Sequence, residues 1–298
     1  MRNSSHEGGP LFFLAMLLGC QPDKASQSTC ERIKRAHQQA DPDAPQNILV
    51  IITDDIGIDK TSGYGEHPRP VFTPNIDSLI CAGLSFRNAY SNPTCSPSRS
   101  SMLTGRYGGR TGIGRWLAPS AQEWDLKLSE LTIPEMLEYS PHNYTSAAVG
   151  KWHLGSFWRE NPGTHPLQQG FTHHFGSMAN PRDAISSGSF PRGYYNWEKN
   201  SDGSQEWSST YMTTDTTDMA INMVDSLPEP WFLWVAYNGA HTPLELPPSE
   251  LHNIDLSLLP SEEQIYDAMV QATDTEIGRL IAQISDEMLA HTTILYVS

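Results

Sequence analysis

The sequence has few cysteines, few positive charges and no long apolar run. Its 298 residues include 4 cysteines, and 19 Lys and Arg residues stand against 34 Asp and Glu residues, a net charge of −15. So few scattered cysteines exclude a small scaffold built on disulfides. The deficit of basic residues excludes the positive face on which nucleic-acid binding depends, so we expect no nucleic-acid partner. A chain of this length can otherwise fold around its own core.

The longest apolar run is residues 11–18, far shorter than the roughly 20 residues that cross a bilayer. It is typical of the core of a secretory signal. It ends in Leu17-Leu18-Gly19-Cys20, which resembles the lipobox of bacterial lipoproteins, where the chain is cut before a cysteine that then carries a lipid. We therefore expect a signal peptide over residues 1–19 and a lipid anchor at Cys20. The protein would be exported, either to the periplasm as a membrane-anchored lipoprotein or by secretion; the alternative is an ordinary N-terminus.

Residues 20–46 are polar, with serine, glutamine, aspartate and proline prominent. This composition predicts a flexible tether ahead of the folded domain. No pair of the four cysteines has Cys-x-x-Cys spacing. Cys30 and Cys81 could form a disulfide in an oxidising compartment or stay unpaired, and the sequence leaves this open.

Strand and helix patterns alternate from Asn47 onward. Residues 47–53 are an apolar, β-branched run typical of a strand buried on both faces. Further strands are predicted at 144–149, 231–237 and 292–297, and helices at 73–82, 98–104, 261–284 and from about 132. The segment 156–230 has no clear period and predicts long loops with short elements. The alternation predicts an α/β domain over residues 47–298, with a mostly parallel central sheet flanked by helices.

Two carboxylates, Asp54 and Asp55, follow the first predicted strand. In open α/β sheets ligands bind at the carboxyl ends of strands, and carboxylate oxygens are preferred ligands of Ca²⁺ and Mg²⁺. Adjacent aspartates also suit a solvated turn, so the pair alone leaves both interpretations open.

The segment Cys95-Ser96-Pro97-Ser98-Arg99 places a cysteine at the start of a predicted helix. Ser96 suits the N-cap and Pro97 the first turn. Free N–H groups and the helix dipole favour an anion at this end, and Arg99 adds a positive charge nearby. The pattern predicts a reactive or anchoring cysteine in an anion site, with a buried inert cysteine as the alternative.

Four motifs together resemble the sulfatase family, most closely its branch of arylsulfatases and glycosaminoglycan exosulfatases. The cysteine segment is followed by Leu103-Thr104-Gly105-Arg106, residues 150–155 read Gly-Lys-Trp-His-Leu-Gly, and His241-Thr242-Pro243 follows a strand. With Asp54-Asp55 they stand in the family's order. The resemblance covers residues 47–298 and implies an alkaline-phosphatase-like sulfatase fold whose C-terminal subdomain is missing.

The resemblance implies a definite chemistry. In this family the motif cysteine is oxidised to formylglycine, so Cys95 would be converted by a formylglycine-generating maturation enzyme, and the hydrated aldehyde would attack sulfur. The substrate would be an aryl or carbohydrate sulfate. Lys151 and Arg99 would surround the sulfate oxygens. His153 would assist turnover of the hydrate, and His241 would assist departure of the leaving oxygen.

The resemblance also implies one Ca²⁺ bound by Asp54, Asp55 and the group derived from Cys95. The family completes this site with an Asp-Asn pair just after the strand that matches residues 293–298, so we expect a truncated form of the enzyme. The alternatives are a phosphate mono- or diester hydrolase of the same superfamily, or an inactive fragment. Five aromatic residues of the 156–230 segment are candidates for stacking on a sugar or aryl group: Trp158, Tyr194, Tyr195, Trp197 and Trp207.

Overall fold

A twisted sheet divides the molecule into two layers in the computed structural model, which describes residues 24–41, 43–119, 124–183, 185, 192–256 and 259–298. The expected signal peptide and the expected lipid anchor at Cys20 lie outside these residues. The strands in the described part are β1 (Asn47–Ile52), β2 (Thr145–Gly150), β3 (His173–Gly176), β4 (Trp197–Ser201), β5 (Ser204–Ser208), β6 (Trp231–Ala236) and β7 (Thr292–Val297).

The strand order is β5-β4-β3-β2-β6-β1-β7. The five strands from β3 to β7 in that order run parallel, and β4 and β5 add an antiparallel hairpin at one edge. The described α-helices are α1 (Lys24–Gln38), α2 (Pro74–Ala82), α3 (Cys95–Thr104), α4 (Gly108–Thr111), α5 (Ile133–Leu137), α6 (His165–Gln168), α7 (Met212–Ser226), α8 (Glu262–Gln283) and α9 (Asp286–Ala290). This arrangement confirms the predicted α/β fold.

Strand β1 is buried on both faces, as its β-branched sequence predicts. Leu49 and Ile51 pack into the layer formed with α1, α2, α7, α8 and α9, while Val50 and Ile52 pack into the opposite layer, which contains α3. Because side chains alternate along a strand, both layers draw on every second residue. Packing on both faces therefore fixes the position of the sheet, including the edge from which the polar residues after each strand emerge.

The prediction of long loops over residues 156–230 is wrong for the segment that forms α7. Its sequence is rich in threonine, which has low helix propensity, and this obscured the period. In the fold Thr216 and Thr217 are buried, and their hydroxyls donate to the carbonyls of Met212 and Thr213 at 2.9 and 3.2 Å. These bonds satisfy the hydroxyls within the helix, so threonine can face the core.

The expected tether is wrong over residues 24–38, which form α1. Its buried face repeats at helical spacing through Cys30, Ile33 and Ala36. Arg32 fastens the helix, because its guanidinium donates to the carbonyls of Ile281 and Ile284 at the end of α8 and to Asp286. Such carbonyls lack partners within their own helix and attract cations. The polar composition of the segment concealed these contacts.

Cys30 and Cys81 form a disulfide between α1 and α2, which settles the pairing that the sequence left open. The two cysteines are 51 residues apart in the chain. Closing a loop of that length stabilises a fold by about 4 kcal/mol in the chain-entropy model. Among the described residues, no helix combines the length and the apolar character needed to cross a bilayer.

Candidate active site

The candidate site lies at the carboxyl ends of three adjacent parallel strands. Ile52 of β1 and Gly150 of β2 both pair in register with Ala236 of β6. The residues that follow these strands therefore leave the sheet side by side, and they include Asp54, Lys151 and the segment 237–243. Backbone hydrogen bonds of 3.0 and 2.8 Å between Asp54 and residues 239–240 hold the first and last of these segments together.

A buried group of one carboxylate and two cations forms the floor of the site. The Lys151 ammonium donates to Asp54 Oδ2, and Arg99 Nη2 lies 3.6 Å from Asp54 Oδ1. The side chains of Asp54, Lys151 and Arg99 are 6%, 0% and 2% exposed. Burial by itself would raise the pKa of Asp54, but the two cations outweigh it and lower that pKa to about 2. The carboxylate is therefore charged throughout the physiological range.

The two cations are themselves held in place by polar contacts. Lys151 Nζ also donates to Asn180 Oδ1 at 2.7 Å, and Arg99 Nη1 donates to the Lys151 carbonyl at 2.7 Å. Arg99 Nη2 is buried and has no hydrogen-bond acceptor among the described residues. It is therefore a donor poised for a bound anion. Sequence reasoning missed Asn180, because it lies in the segment without a clear period and belongs to no recognised motif.

Cys95 opens α3 and faces His153. The distance from Cys95 Sγ to His153 Nδ1 is 3.1 Å, and His153 Nε2 lies 2.9 Å from the Leu117 carbonyl. A carbonyl only accepts, so Nε2 carries the proton. Burial, reinforced by the charge of Lys151, lowers the pKa of His153 well below its usual value. The ring is thus neutral, and Nδ1 is an acceptor directed at residue 95.

Two details around α3 differ from the sequence-based expectation. The helix begins at Cys95 with Thr94 as its N-cap, two residues earlier than an N-cap at Ser96 would set it. The Ser96 hydroxyl accepts instead from the backbone N–H of Leu117 at 3.0 Å.

His153 has a positive φ of 57°, a conformation that non-glycine residues adopt at a cost and that is concentrated at functional sites.

His241 lies beside Asp55, the residue that follows the buried Asp54. His241 Nε2 is 3.7 Å from Asp55 Oδ2, and Nδ1 lies 2.6 Å from the Thr242 carbonyl. The Asp55 side chain is 63% exposed, unlike that of Asp54. The buried Tyr194 hydroxyl lies 2.7 Å from the carbonyls of both Asn238 and His241, so it steadies the segment that carries this histidine.

The described residues offer oxygen ligands of the kind that Ca²⁺ takes, but only part of the number it would need. Asp54 and Asp55 offer hard carboxylate oxygens at one sheet edge, but the Asp54 carboxylate already faces two cations. In the part of the chain that the structure describes, no three His, Cys, Asp or Glu side chains lie close enough to hold a metal. Ca²⁺ takes 6–8 oxygen ligands, so these side chains alone do not complete its coordination.

The aromatic residues proposed for stacking divide into two groups. Tyr194 and Trp197 are buried in the core and are unavailable to a ligand. Trp158, Tyr195 and Trp207 remain exposed. Sequence pattern could not separate them, because burial of an aromatic residue in a segment without a period depends on the tertiary fold.

Comparisons with known proteins show which family and which relatives the chain resembles. The family model described as Sulfatase matches residues 46–298. N-acetylgalactosamine-6-sulfatase of Homo sapiens is 31% identical over 85% of this chain and 49% of its own length. Arylsulfatase J of Mus musculus is 30% identical over 78% of this chain and 38% of its own length. The chain thus spans about half the length of the curated relatives it matches, or less.

A solved structure extends the comparison to the fold. The crystal structure of Ps i-CgsB in complex with k-i-k-neocarrahexaose superimposes with a TM-score of 0.71 at 25% identity. The alignment covers 85% of this chain and 58% of that chain.

Proposed function

The chain belongs to the sulfatase family, and from this premise we propose that the whole protein hydrolyses sulfate esters at the site around Cys95. The observation that carries the proposal is the convergence of a free cysteine, a neutral histidine and two buried cations on one sheet edge. A sulfate ester needs a nucleophile and a fixed positive field around its oxygens. A carbohydrate sulfate is supported as the substrate by the named activity of one relative and by the oligosaccharide in the solved structure.

We propose that residue 95 acts as formylglycine, made by a maturation enzyme. Cys95 supports this because it is the free cysteine of the described chain, partly exposed at the N-terminus of α3. The hydrated aldehyde supplies the nucleophilic oxygen when it is present. His153 Nδ1 stands 3.1 Å from Cys95 Sγ, where it can accept a proton from the group at that position. The Leu117 carbonyl holds the other ring nitrogen protonated, which keeps Nδ1 available.

Lys151 and Arg99 supply positive charge around the sulfate, and His241 serves the leaving group. Lys151 and Arg99 hold their positive charges without reorganising, because hydrogen bonds to Asn180 and to the Lys151 carbonyl fix them. His241 Nδ1 is turned to the Thr242 carbonyl, so Nε2 is the nitrogen that can exchange a proton with the departing oxygen. Asp54 and Asp55 would hold a Ca²⁺ that neutralises charge on the sulfate, and no step is derived through that ion.

The test is to produce the whole protein with and without a formylglycine-generating enzyme. Peptide mass spectrometry should find residue 95 lighter by the difference between a thiol and an aldehyde only in the first preparation. That preparation should hydrolyse nitrophenyl sulfate far faster than nitrophenyl phosphate, while the second should be inactive. A preference for the phosphate ester would favour the phosphate-hydrolase alternative. Equal sulfatase activity with unmodified Cys95 would overturn the mechanism.

We also propose export with a lipid anchor at Cys20. The Cys30–Cys81 disulfide supports export, because such bridges persist in oxidising compartments. In a bacterial host, the wild-type protein should sediment with membranes, and Cys20→Ser should move it to the soluble fraction. Cys95→Ser is the matched control and should leave the distribution unchanged. Wild-type protein found wholly in the soluble fraction would contradict the anchor.

A further inference from the structure

Three exposed tryptophans lie around the segment that contacts His153. Trp116, Trp124 and Trp158 are 46%, 40% and 60% exposed. With Arg115 they form what we call the indole shelf. Exposed indoles are uncommon in soluble proteins, and a group of them marks a binding surface more often than a single one does.

The indole shelf is tied to the candidate active site through backbone contacts. Leu117 accepts from His153 Nε2 at 2.9 Å and donates its N–H to Ser96 Oγ at 3.0 Å. Trp116 is the residue before Leu117, so its Cα lies about 3.8 Å away. Trp158 Nε1 donates to the Pro119 carbonyl at 3.2 Å, which fixes the third indole beside the same segment. The segment that carries the indole shelf therefore contacts His153 and Ser96, which are neighbours of residue 95 in the site.

Within the described residues, the indole shelf also carries a positive charge that has no acidic partner. The Arg115 guanidinium lies 3.9 Å from the centre of the Trp124 ring, a cation–π contact. Among the described residues, no carboxylate lies within ion-pair distance of it. The chain as a whole has a net charge of −15, so a guanidinium over an aromatic ring, with no carboxylate partner in the described part, is a local exception. Its N–H groups remain available to an anion.

We propose that the indole shelf binds a second sugar ring of a sulfated oligosaccharide, next to the ring whose ester is cleaved. The apolar face of the sugar stacks on the indoles of Trp116 and Trp158. Arg115 pairs with a sulfate or carboxylate that this second ring carries. Identifying the ligand as a sugar of a sulfated oligosaccharide rests on the proposed function, since it assumes that a sulfate ester is the reacting group. The shelf then distinguishes polymeric sulfated glycans from small aryl sulfates.

The chain contains a matched control on a different edge of the sheet. Trp207 is exposed on β5, and the Arg192 guanidinium lies 5.7 Å from its ring centre. This pair has the same chemistry as Arg115 and Trp124, but no hydrogen bond of Trp207 leads to the segment around Leu117 in the described residues. Trp207, a stacking candidate by sequence, is therefore assigned no part in this binding surface.

The experiment is isothermal titration calorimetry on protein produced without the maturation enzyme, so that no turnover occurs. The probes are sulfated hexasaccharides of chondroitin, heparan and carrageenan, the desulfated counterpart of each, and phenyl sulfate. Wild type should bind at least one sulfated hexasaccharide more tightly than phenyl sulfate. Trp116→Ala and Trp158→Ala should each weaken that hexasaccharide about tenfold or more and leave phenyl sulfate within twofold, while Trp116→Tyr should keep most of the affinity.

The remaining variants test whether the Arg115 charge recognises the sulfate of the second ring. Arg115→Ala should reduce the preference for the sulfated over the desulfated hexasaccharide, whereas Trp207→Ala and Arg192→Ala should change nothing. Wild type that binds none of the hexasaccharides, or shelf variants that bind them normally, would overturn the proposal. Binding is read without catalysis, so a matured protein that fails to cleave sulfate esters would count against the proposed function and leave this result intact.

Discussion

Asp54→Asn will lower the free energy of unfolding by about 3–5 kcal/mol in metal-free buffer, the cost of removing one member of a buried ion pair. Lys151 and Arg99 are both buried against this carboxylate, so its loss leaves two cations together without a counter-ion. Urea denaturation in the presence of a chelator measures the effect without interference from Ca²⁺.

Asp55→Asn is the matched control, since the two aspartates are neighbours in the chain but the Asp55 side chain is largely exposed. Its effect should stay within about 0.5 kcal/mol, as for other exposed positions. Equal destabilisation by the two variants would mean that the buried cations do not depend on Asp54.

The contribution of Asp54 should also depend on pH in a definite direction. Its pKa falls from 3.8 to about 2 on folding, because Lys151 and Arg99 outweigh the effect of burial. A depressed pKa in the folded state gives stability that is full above about pH 4 and is lost as the pH falls toward 2. The difference corresponds to roughly 2 kcal/mol. Acid denaturation curves of wild type and Asp54→Asn should therefore converge in this window.

Lys151→Ala will lower kcat/KM for a sulfate ester by about 10²–10³-fold or more in the whole, matured protein. Lys151 places a fixed positive charge at the floor of the site, where charge on the sulfate oxygens increases during reaction. Initial rates on nitrophenyl sulfate measure this effect. Lys127→Ala, which removes an exposed lysine paired with Asp125, should leave the rate unchanged. A Lys151→Ala enzyme with normal turnover would show that this cation does not act on the substrate.

The sheet and several members of the site were predictable because their signals are local. The apolar runs around Leu49 and Leu233 mark strands buried on both faces, and parallel strands bring the residues after them to one edge. The strand predicted at 292–297 coincides with β7. The strand pattern placed Asp54, Lys151 and His153 after strands, whereas their position beside Cys95 was implied only by the resemblance to the sulfatase motifs.

Other features depend on contacts between distant parts of the chain and have no local signal. Asn180 bonds to Lys151, and the Leu117 carbonyl fixes the proton on His153, yet neither residue stands in a recognisable motif. The different exposure of Asp54 and Asp55 was equally hidden, because two identical neighbours differ only in what the fold packs against them. α1 escaped notice for the same reason, since its few apolar residues gain meaning only against α2 and α9.

The docking of α1 has a practical consequence for recombinant work. The strand pattern invites an expression clone that begins at Asn47, where the sheet starts. Such a clone would strip Ile33 and Ala36 from the layer they share with α2, α8 and α9, and leave that layer open to solvent. It would also leave Cys81 without Cys30, a single thiol next to newly bared apolar surface. The product would tend to cross-link and precipitate, and its failure would be mistaken for a defect of the catalytic region. Cloning from Lys24 or earlier avoids the error.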